Sequence, residues 1–145
     1  MESQALDNID HRIVGELRRD GRKSWKELAE TVHLSASSVG ERVRRLERLG
    51  VISGYQAVVD HEALGRGLRS VVELSLRPDV VPELFEAALA QRDEVAFAAY
   101  VTGAADYAIL VDCAGPEGLD LFVRWCKANG AATTESRVVL RRVMG

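Results

Sequence analysis

Residues 24–48, SWKELAETVHLSASSVGERVRRLER, constrain the fold of this chain more than any other stretch. Their apolar spacing predicts two short amphipathic helices separated by a tight turn. Ser24 with Glu27 three residues later has the pattern of a capping box, which begins a helix. The next helix is predicted to begin at Ser35 or Ala36, so fewer than four residues are left for the turn between the helices.

Three positions in this stretch have the spacing of a helix-turn-helix. That motif needs a small residue where the helices cross, a turn residue that tolerates a positive φ, and an apolar anchor in the second helix. Ala29, His33 and Val39 supply these in turn. The sequence therefore predicts a second helix held outward, as a recognition helix is for a DNA groove.

The outward side of this second helix is polar and basic, because Val39, Val43 and Leu46 form its inner face. A recognition helix meets base edges with its N-terminal part, whereas arginines further along contact phosphates. The residues expected to contact double-stranded DNA are Ser35, Ser37, Ser38, Glu41, Arg42, Arg44, Arg45 and Arg48, with Arg44 and Arg48 assigned to phosphate. An ordinary solvated helix face is the alternative interpretation of the same arginines.

Charge is unevenly distributed along the chain. The net charge of -3 comes entirely from residues 61–145, which hold nine basic and twelve acidic side chains. The first 60 residues are neutral on balance but basic around the predicted helix pair. An acidic remainder disfavours non-specific attraction to DNA, so binding would depend on a focused basic patch.

The segments on either side of the helix pair complete an N-terminal domain. A first helix is predicted from the N-cap Asp7 to Asp20-Gly21. After the helix pair, Val51-Ile52 and Tyr55 to Val59 are rich in β-branched residues and predict a short wing of two strands. We therefore expect a winged helix-turn-helix over residues 1–53 and a strand with a polar linker over residues 54–67.

The second half of the chain has the pattern of alternating strands and helices. Strands are predicted at 68–77, 95–102, 106–113 and 133–143, with helices at 81–91 and from Pro116 to Asn129-Gly130. In the first of these helices Leu84, Phe85, Ala88 and Leu89 are predicted to point inward. The order β-α-β-β-α-β is that of a ferredoxin-like domain over residues 68–145, so the fold class is α+β.

The predicted hairpin at residues 100–106, YVTGAAD, is a candidate ligand site. Gly103 allows a close backbone approach and N–H donors for a carboxylate, and Asp106 would hold an α-ammonium group. Tyr100 and Thr102 would line the side-chain pocket. A plain hairpin, in which Asp106 caps backbone amides, is the alternative interpretation.

Nearly the whole chain resembles the Lrp/AsnC, or feast/famine, family of prokaryotic transcription regulators. The resemblance is carried by residues 6–60, LDNIDHRIVGELRRDGRKSWKELAETVHLSASSVGERVRRLERLGVISGYQAVVD, and by residues 100–113, YVTGAADYAILVDC. It implies an N-terminal DNA-binding domain and a C-terminal ferredoxin-like effector domain. His33, Gly40, Glu41 and the small residues Ala104-Ala105 and Ala131-Ala132 depart from the more usual residues of the family.

The resemblance also implies partners. It implies dimers formed through the C-terminal sheet, often assembled into octamers, and effectors that are amino acids or related metabolites bound between dimers. On this basis Ala104 belongs to a loop at the effector, and Thr133, Thr134 and Ser136 complete the site from a neighbouring subunit. The expected function is a sequence-specific transcriptional regulator that senses a small metabolite.

Several classes of function are disfavoured. The sequence has no apolar run of about 18 residues and no signal-peptide core, so no membrane association and a cytoplasmic location are expected. Cys113 and Cys126 form no metal-binding pattern, and no cofactor or metal is expected. The three histidines, His11, His33 and His61, lie outside residues 68–145, so we expect no enzyme. The alternatives that stay open are a haem-precursor decarboxylase and an interaction module that no longer binds DNA, both on the same architecture.

Overall fold

The computed structural model describes residues 5–143, which divide into two compact units. The first unit ends at Val58 and the second begins at Val59. The helices of the first unit are α1 (Asn8–Arg19), α2 (Trp25–Val32) and α3 (Ala36–Arg48). This confirms the three helices expected from the apolar periodicity.

Each of the three helices begins with a side-chain N-cap, as the sequence predicts. The carboxylate of Asp7 accepts from the amide of Asp10 at 2.8 Å, and the carboxylate of Asp10 accepts from the amide of Asp7 at 3.1 Å. Ser24 and Glu27 form the same reciprocal box at α2. Each box satisfies amide groups that have no partner inside the helix, which fixes where the helix begins.

The first unit has its own apolar core, in which Ile13, Leu28, Val39 and Leu46 are fully buried. One residue from α1, one from α2 and two from α3 meet there, so burial sets the crossing of the three helices. His33 ends α2 in the left-handed region, with φ 59° and ψ 46°. Histidine adopts this conformation at a cost of about 1–2 kcal/mol relative to an ordinary helical residue, and the chain thereby turns sharply into α3.

The predicted wing is wrong, because residues 51–59 contain no strand. The amides of Val51 and Ile52 instead donate to the carbonyl of Leu46, at 3.0 and 3.2 Å, and close the C-terminal end of α3. Tyr55 packs back on the helices through a 2.9 Å hydrogen bond to Glu47. A strand needs a partner for its amides and carbonyls, and within the described residues nothing pairs with this segment.

The second unit confirms the β-α-β-β-α-β order. Its elements are β1 (Leu68–Leu76), α4 (Pro82–Leu89), β2 (Val95–Tyr100), β3 (Tyr107–Cys113), α5 (Pro116–Ala128) and β4 (Ala131–Val138). The sheet is antiparallel with strand order β2-β3-β1-β4. Both helices pack on one face of it, because Phe85 of α4 and Phe122 of α5 share a core with Val72 and Ile109.

The burial of Leu84 and the bounds of some elements differ from the sequence expectation; β2, for example, ends at Tyr100 rather than at residue 102. Leu84 is 69% exposed rather than inward, since Phe85 and Leu89 already supply the buried side of the short helix α4. The last strand runs from Ala131 to Val138 rather than over 133–143, because its pairing with β1 ends at Ser70. Beyond that point β1 offers few further partners, and Leu140 is almost fully exposed.

Candidate DNA-binding surface and effector pocket

The packing between α2 and α3 presents the polar side of α3 outward. Ala29 is buried where the helices cross, and Val39 is fully buried beneath α3. The amide of His33 and the amide of Leu34 both donate to the carbonyl of Ala29, which holds the turn against α2. The three spacing residues identified in the sequence therefore act as predicted.

Three serines gather at the N-terminal end of α3. The hydroxyl of Ser35 accepts from the amide of Ser38 at 3.1 Å and lies 3.0 and 2.8 Å from the hydroxyls of Ser37 and Ser38. Ser35 and Ser37 are exposed and Ser38 is half-buried. Because free amides point outward at a helix N-terminus, this end of α3 offers hydrogen-bond donors to an anion or a base edge.

Arg42 and Arg45 are turned back onto the first helix. Nη1 of Arg42 lies 2.7 Å from a carboxylate oxygen of Asp7 and 2.8 Å from one of Asp10. Nη2 of Arg45 lies 3.2 Å from the other oxygen of Asp10, whose side chain is fully buried. The bonds to Asp7 and Asp10 raise the pKa of Arg42, because both carboxylates stabilise the charged guanidinium.

Arg44 and Arg48 remain exposed on α3, as does Glu41. The guanidinium of Arg44 lies 4.6 Å from the centre of the Trp25 ring, a cation–π contact that restricts where it points. An open groove of about 590 Å³ runs along this side of the helix. Its lining is Leu34, Ser38, Glu41, Arg42, Arg44, Arg45 and Arg48.

The structure thus brings six of the eight predicted DNA contacts into one groove, and Ser35 and Ser37 lie at the helix end outside its lining. Sequence reasoning missed that Asp7 and Asp10 pair with the arginines of α3. Asp7 was recognisable as a helix cap, but a capping pattern carries no information about a partner more than thirty residues away. The contact of Arg44 with Trp25 was also missed, because it forms only when α2 and α3 pack together.

A second candidate site lies at the β2–β3 hairpin, where a pocket of about 440 Å³ opens beside β4. Four predicted effector residues line it, namely Thr102, Ala104, Thr133 and Thr134. The other lining residues are Glu73, Val101, Ala105, Glu135 and Arg137. Arg137 forms ion pairs with Glu73 and with Glu135, so the pocket holds both signs of charge.

Four other predicted effector residues do not line this pocket. The carboxylate of Asp106 accepts from the amide of Leu76 at 2.9 Å, which ties the hairpin to β1. Gly103 has φ 128°, which an L-residue rarely adopts, so the sharp turn explains this glycine. Ser136 is exposed on β4, and Tyr100 lies edge-on to Tyr107 with ring centres 5.2 Å apart.

Tyr100 belongs to a different groove, of about 570 Å³, between α4 and β2. The sequence did not predict this groove. At its wall the hydroxyl of Tyr107 donates to Glu86 at 2.7 Å, and burial together with that carboxylate raises the tyrosine pKa.

Within residues 5–143 no cluster of three or more His, Cys, Asp or Glu side chains could hold a metal ion. None of the helices over this range is long and apolar enough to cross a membrane.

Both units match described protein families. Residues 6–47 match the AsnC-type helix-turn-helix domain, and residues 69–145 match the Lrp/AsnC ligand binding domain. The HTH-type transcriptional regulator LrpA of Mycobacterium tuberculosis is 36% identical over 138 residues, which is 95% of this chain and 92% of that protein.

Solved structures agree with this assignment. The LrpC structure from Bacillus subtilis has a TM-score of 0.87 at 31% identity, with 97% of this chain and 98% of that chain covered. A feast or famine regulatory protein from M. tuberculosis, complexed with L-methionine, has a TM-score of 0.89 at 35% identity and covers 97% and 96%. These matches span both units, and the chain belongs to the Lrp/AsnC family of helix-turn-helix transcriptional regulators.

Proposed function

We propose that this protein regulates transcription by placing α3 in the major groove of double-stranded DNA. The observation that carries the proposal is the exposed polar side of α3, with serines at its N-terminal end and Arg44 and Arg48 further along. An amide-rich helix end suits phosphate or base edges, and arginines beyond it suit phosphates. The domain division at 1–53, 54–67 and 68–145 is part of this proposal.

The second part of the proposal is an amino-acid effector, or a related metabolite, at the β2–β3 hairpin. Structures of relatives from M. tuberculosis and Neisseria meningitidis hold L-methionine. In this chain Arg137 supplies a cation for an α-carboxylate, and Glu73 supplies an acceptor for an α-ammonium. The second oxygen of Asp106, which lies outside the pocket lining, is the alternative acceptor. The remaining lining is built from threonines and alanines, so we infer a small or polar effector side chain.

A third part is assembly into a dimer, and from dimers into a larger oligomer such as an octamer. The sheet face opposite the helices carries the side chains that alternate with the core, and Val71 pairs there with Leu110 beside Phe97. Phe97 is 58% exposed in the single chain. A second copy would cover this apolar face and hold two α3 helices at a fixed spacing, as half-site recognition requires.

Binding to the DNA upstream of the chain's own gene tests the first part. Fluorescence anisotropy is measured against that DNA and against a random duplex over a range of salt concentrations. We expect preference for the upstream DNA and a steep loss of affinity with salt, because each neutralised phosphate releases counterions. Weak binding without sequence preference would instead favour a module that has lost DNA recognition.

Calorimetry against the twenty amino acids tests the second part. At least one is expected to release or absorb heat and to raise the thermal stability of the protein, since a ligand that binds only the folded state stabilises it. The control is Arg137→Gln, which keeps a polar side chain but removes the cation that we assign to the α-carboxylate. If none of the twenty gives heat or stabilisation, the amino-acid version of the proposal is wrong.

A further inference from the structure

Among the described residues of the helix-turn-helix unit, Asp10 has the most deeply buried charged side chain. It lies in the first turn of α1 with no exposed surface. One oxygen accepts from Arg42 at 2.8 Å, and the other accepts from Arg45 at 3.2 Å and from the amide of Asp7 at 3.1 Å. A buried carboxylate is tolerated only when its charge and its lone pairs are matched in this way.

Both arginines are held in place by their hydrogen bonds to this carboxylate. If Arg42 or Arg45 swung out to reach a base, Asp10 would keep its burial and lose a cation, which is strongly unfavourable. Arg42 also bridges to Asp7 at 2.7 Å, so two carboxylates hold the same guanidinium. Nε of Arg45 is buried and has no acceptor among the described residues, which shows that part of this guanidinium is withdrawn from solvent.

Contact with α1 distinguishes these arginines from the exposed ones. Arg42 and Arg45 are three residues apart and meet the same carboxylate of α1. Arg44 and Arg48 are four residues apart and remain exposed. All four line the same groove, but Arg42 and Arg45 are held by Asp10, so the basic charge free to meet DNA is smaller than the count of four arginines indicates.

We propose that Arg42 and Arg45 are positioning residues, which lock α3 to α1 through Asp10, and that Arg44, Arg48 and the N-terminal serines make the DNA contacts. The inference rests on the proposed function, because it takes α3 as the helix that enters DNA. It revises the sequence-based assignment of Arg42 and Arg45 as base readers. It also makes Asp10, a residue that cannot touch DNA, a determinant of affinity and of sequence preference.

Whether Asp10→Asn weakens DNA binding distinguishes a positioning role of Arg42 and Arg45 from a base-reading role. If Arg42 and Arg45 read bases, removal of a carboxylate that competes for them should tighten binding or leave it unchanged. If they position α3, the variant should bind the upstream DNA at least about fivefold more weakly than wild type does and should discriminate less against random DNA. The full-length protein is used, with far-UV CD to show that each variant is folded at the assay temperature. Arg124→Ala, an exposed arginine of α5, is the matched control.

Salt dependence gives a second readout that does not require Asp10→Asn to fold. Arg48→Ala should lower the slope of log affinity against log salt by about one, as expected for a lost phosphate contact. Arg42→Ala should weaken binding without changing that slope, because its charge is already matched by Asp7 and Asp10. A change in stability alone would move neither the slope nor the preference of the folded protein for its site.

The outcomes distinguish this inference from the proposed function. Absence of specific binding by the wild-type protein overturns the proposed function itself. Specific binding by wild type that is tightened or left unchanged by Asp10→Asn overturns the positioning role alone, as does a slope that falls by about one in Arg42→Ala. Weakened binding by both Asp10→Asn and Arg42→Ala, with an unchanged slope for Arg42→Ala, supports it, because base reading by Arg42 and Arg45 predicts no loss in Asp10→Asn.

Discussion

The ring of Trp25 occupies the space into which a side chain at position 40 would project. A Cβ added to Gly40 would stand 2.7 Å from Cε3 and 2.8 Å from Cζ3 of Trp25. Such contacts are too short, so the ring would have to move. Glycine in the middle of α3 is unfavourable on helix propensity alone, and the tryptophan at the start of α2 is its physical explanation. Gly40 and Trp25 together set how closely α2 approaches α3. The same ring makes the cation–π contact with Arg44.

Gly40→Ala is therefore expected to act in opposite directions in two backgrounds. With Trp25 present, the overpacking cost of about 1–3 kcal/mol should exceed the gain in helix propensity and destabilise the helical unit. In a Trp25→Ala background the same change should stabilise it by about 1 kcal/mol. Amide hydrogen exchange in α3 of the full-length protein measures both. Equal effects of Gly40→Ala in the two backgrounds would show that the ring does not constrain this position.

Asp7 predicts an acid dependence of stability. Its pKa lies below the ordinary value of 3.8, chiefly because it accepts from the amide of Asp10 and also because it pairs with Arg42. A carboxylate whose pKa is lower in the folded than in the unfolded chain stabilises the fold above the unfolded value and loses that contribution as the pH falls through the folded value. Thermal unfolding should therefore shift to lower temperature as the pH falls below about 4.

The variant Asp7→Asn keeps a capping side chain and removes the titrating group. Part of the acid dependence should disappear in it, as measured by the midpoint of thermal unfolding against pH. Asp120→Asn, which removes an exposed carboxylate from α5, is the control and should retain the wild-type profile. An acid profile of Asp7→Asn identical to that of wild type would contradict the assignment.

Both thiols should be unreactive in the folded protein. Burial raises the pKa of Cys126 to about 12 and also raises the pKa of Cys113. Since the thiolate is the reactive form, a thiol reagent such as DTNB should release little colour at about pH 8. Unfolding in guanidinium should expose both groups at once. Rapid reaction of the native protein would show that one of these thiols opens to solvent, and the single serine variants would identify which.

Substitution of Asp106 tests whether this side chain binds the effector or only holds the hairpin in place. Asp106→Asn keeps an oxygen that can accept from the amide of Leu76, so the hairpin should remain in place. If the second oxygen holds an α-ammonium, this variant should bind DNA like wild type without effector and lose the effector response. The measurement is DNA affinity with and without the amino acid found by calorimetry. A full response in Asp106→Asn would favour Glu73 as the acceptor.

The elements of the fold could be predicted from local signals. Asp7, Ser24 and Ser35 cap their helices as their positions indicate, and strand alternation gave the order of the second unit. Leu84 and the wing could not be predicted in this way. A side chain on a short helix is buried only if the sheet reaches it, and a β-branched segment becomes a strand only if another strand offers it hydrogen bonds.

By itself the sequence determined the three helices of the first unit and their caps, the order of elements in the second unit, and that one arginine-rich helix is held outward. These properties depend on residues close together in the chain, through propensity, periodicity and capping. Only the tertiary structure decided which arginines of α3 are free, because that depends on the buried carboxylate of Asp10 more than thirty residues away. It likewise decided why Gly40 is a glycine, since the Trp25 ring reaches that position only after α2 and α3 have packed.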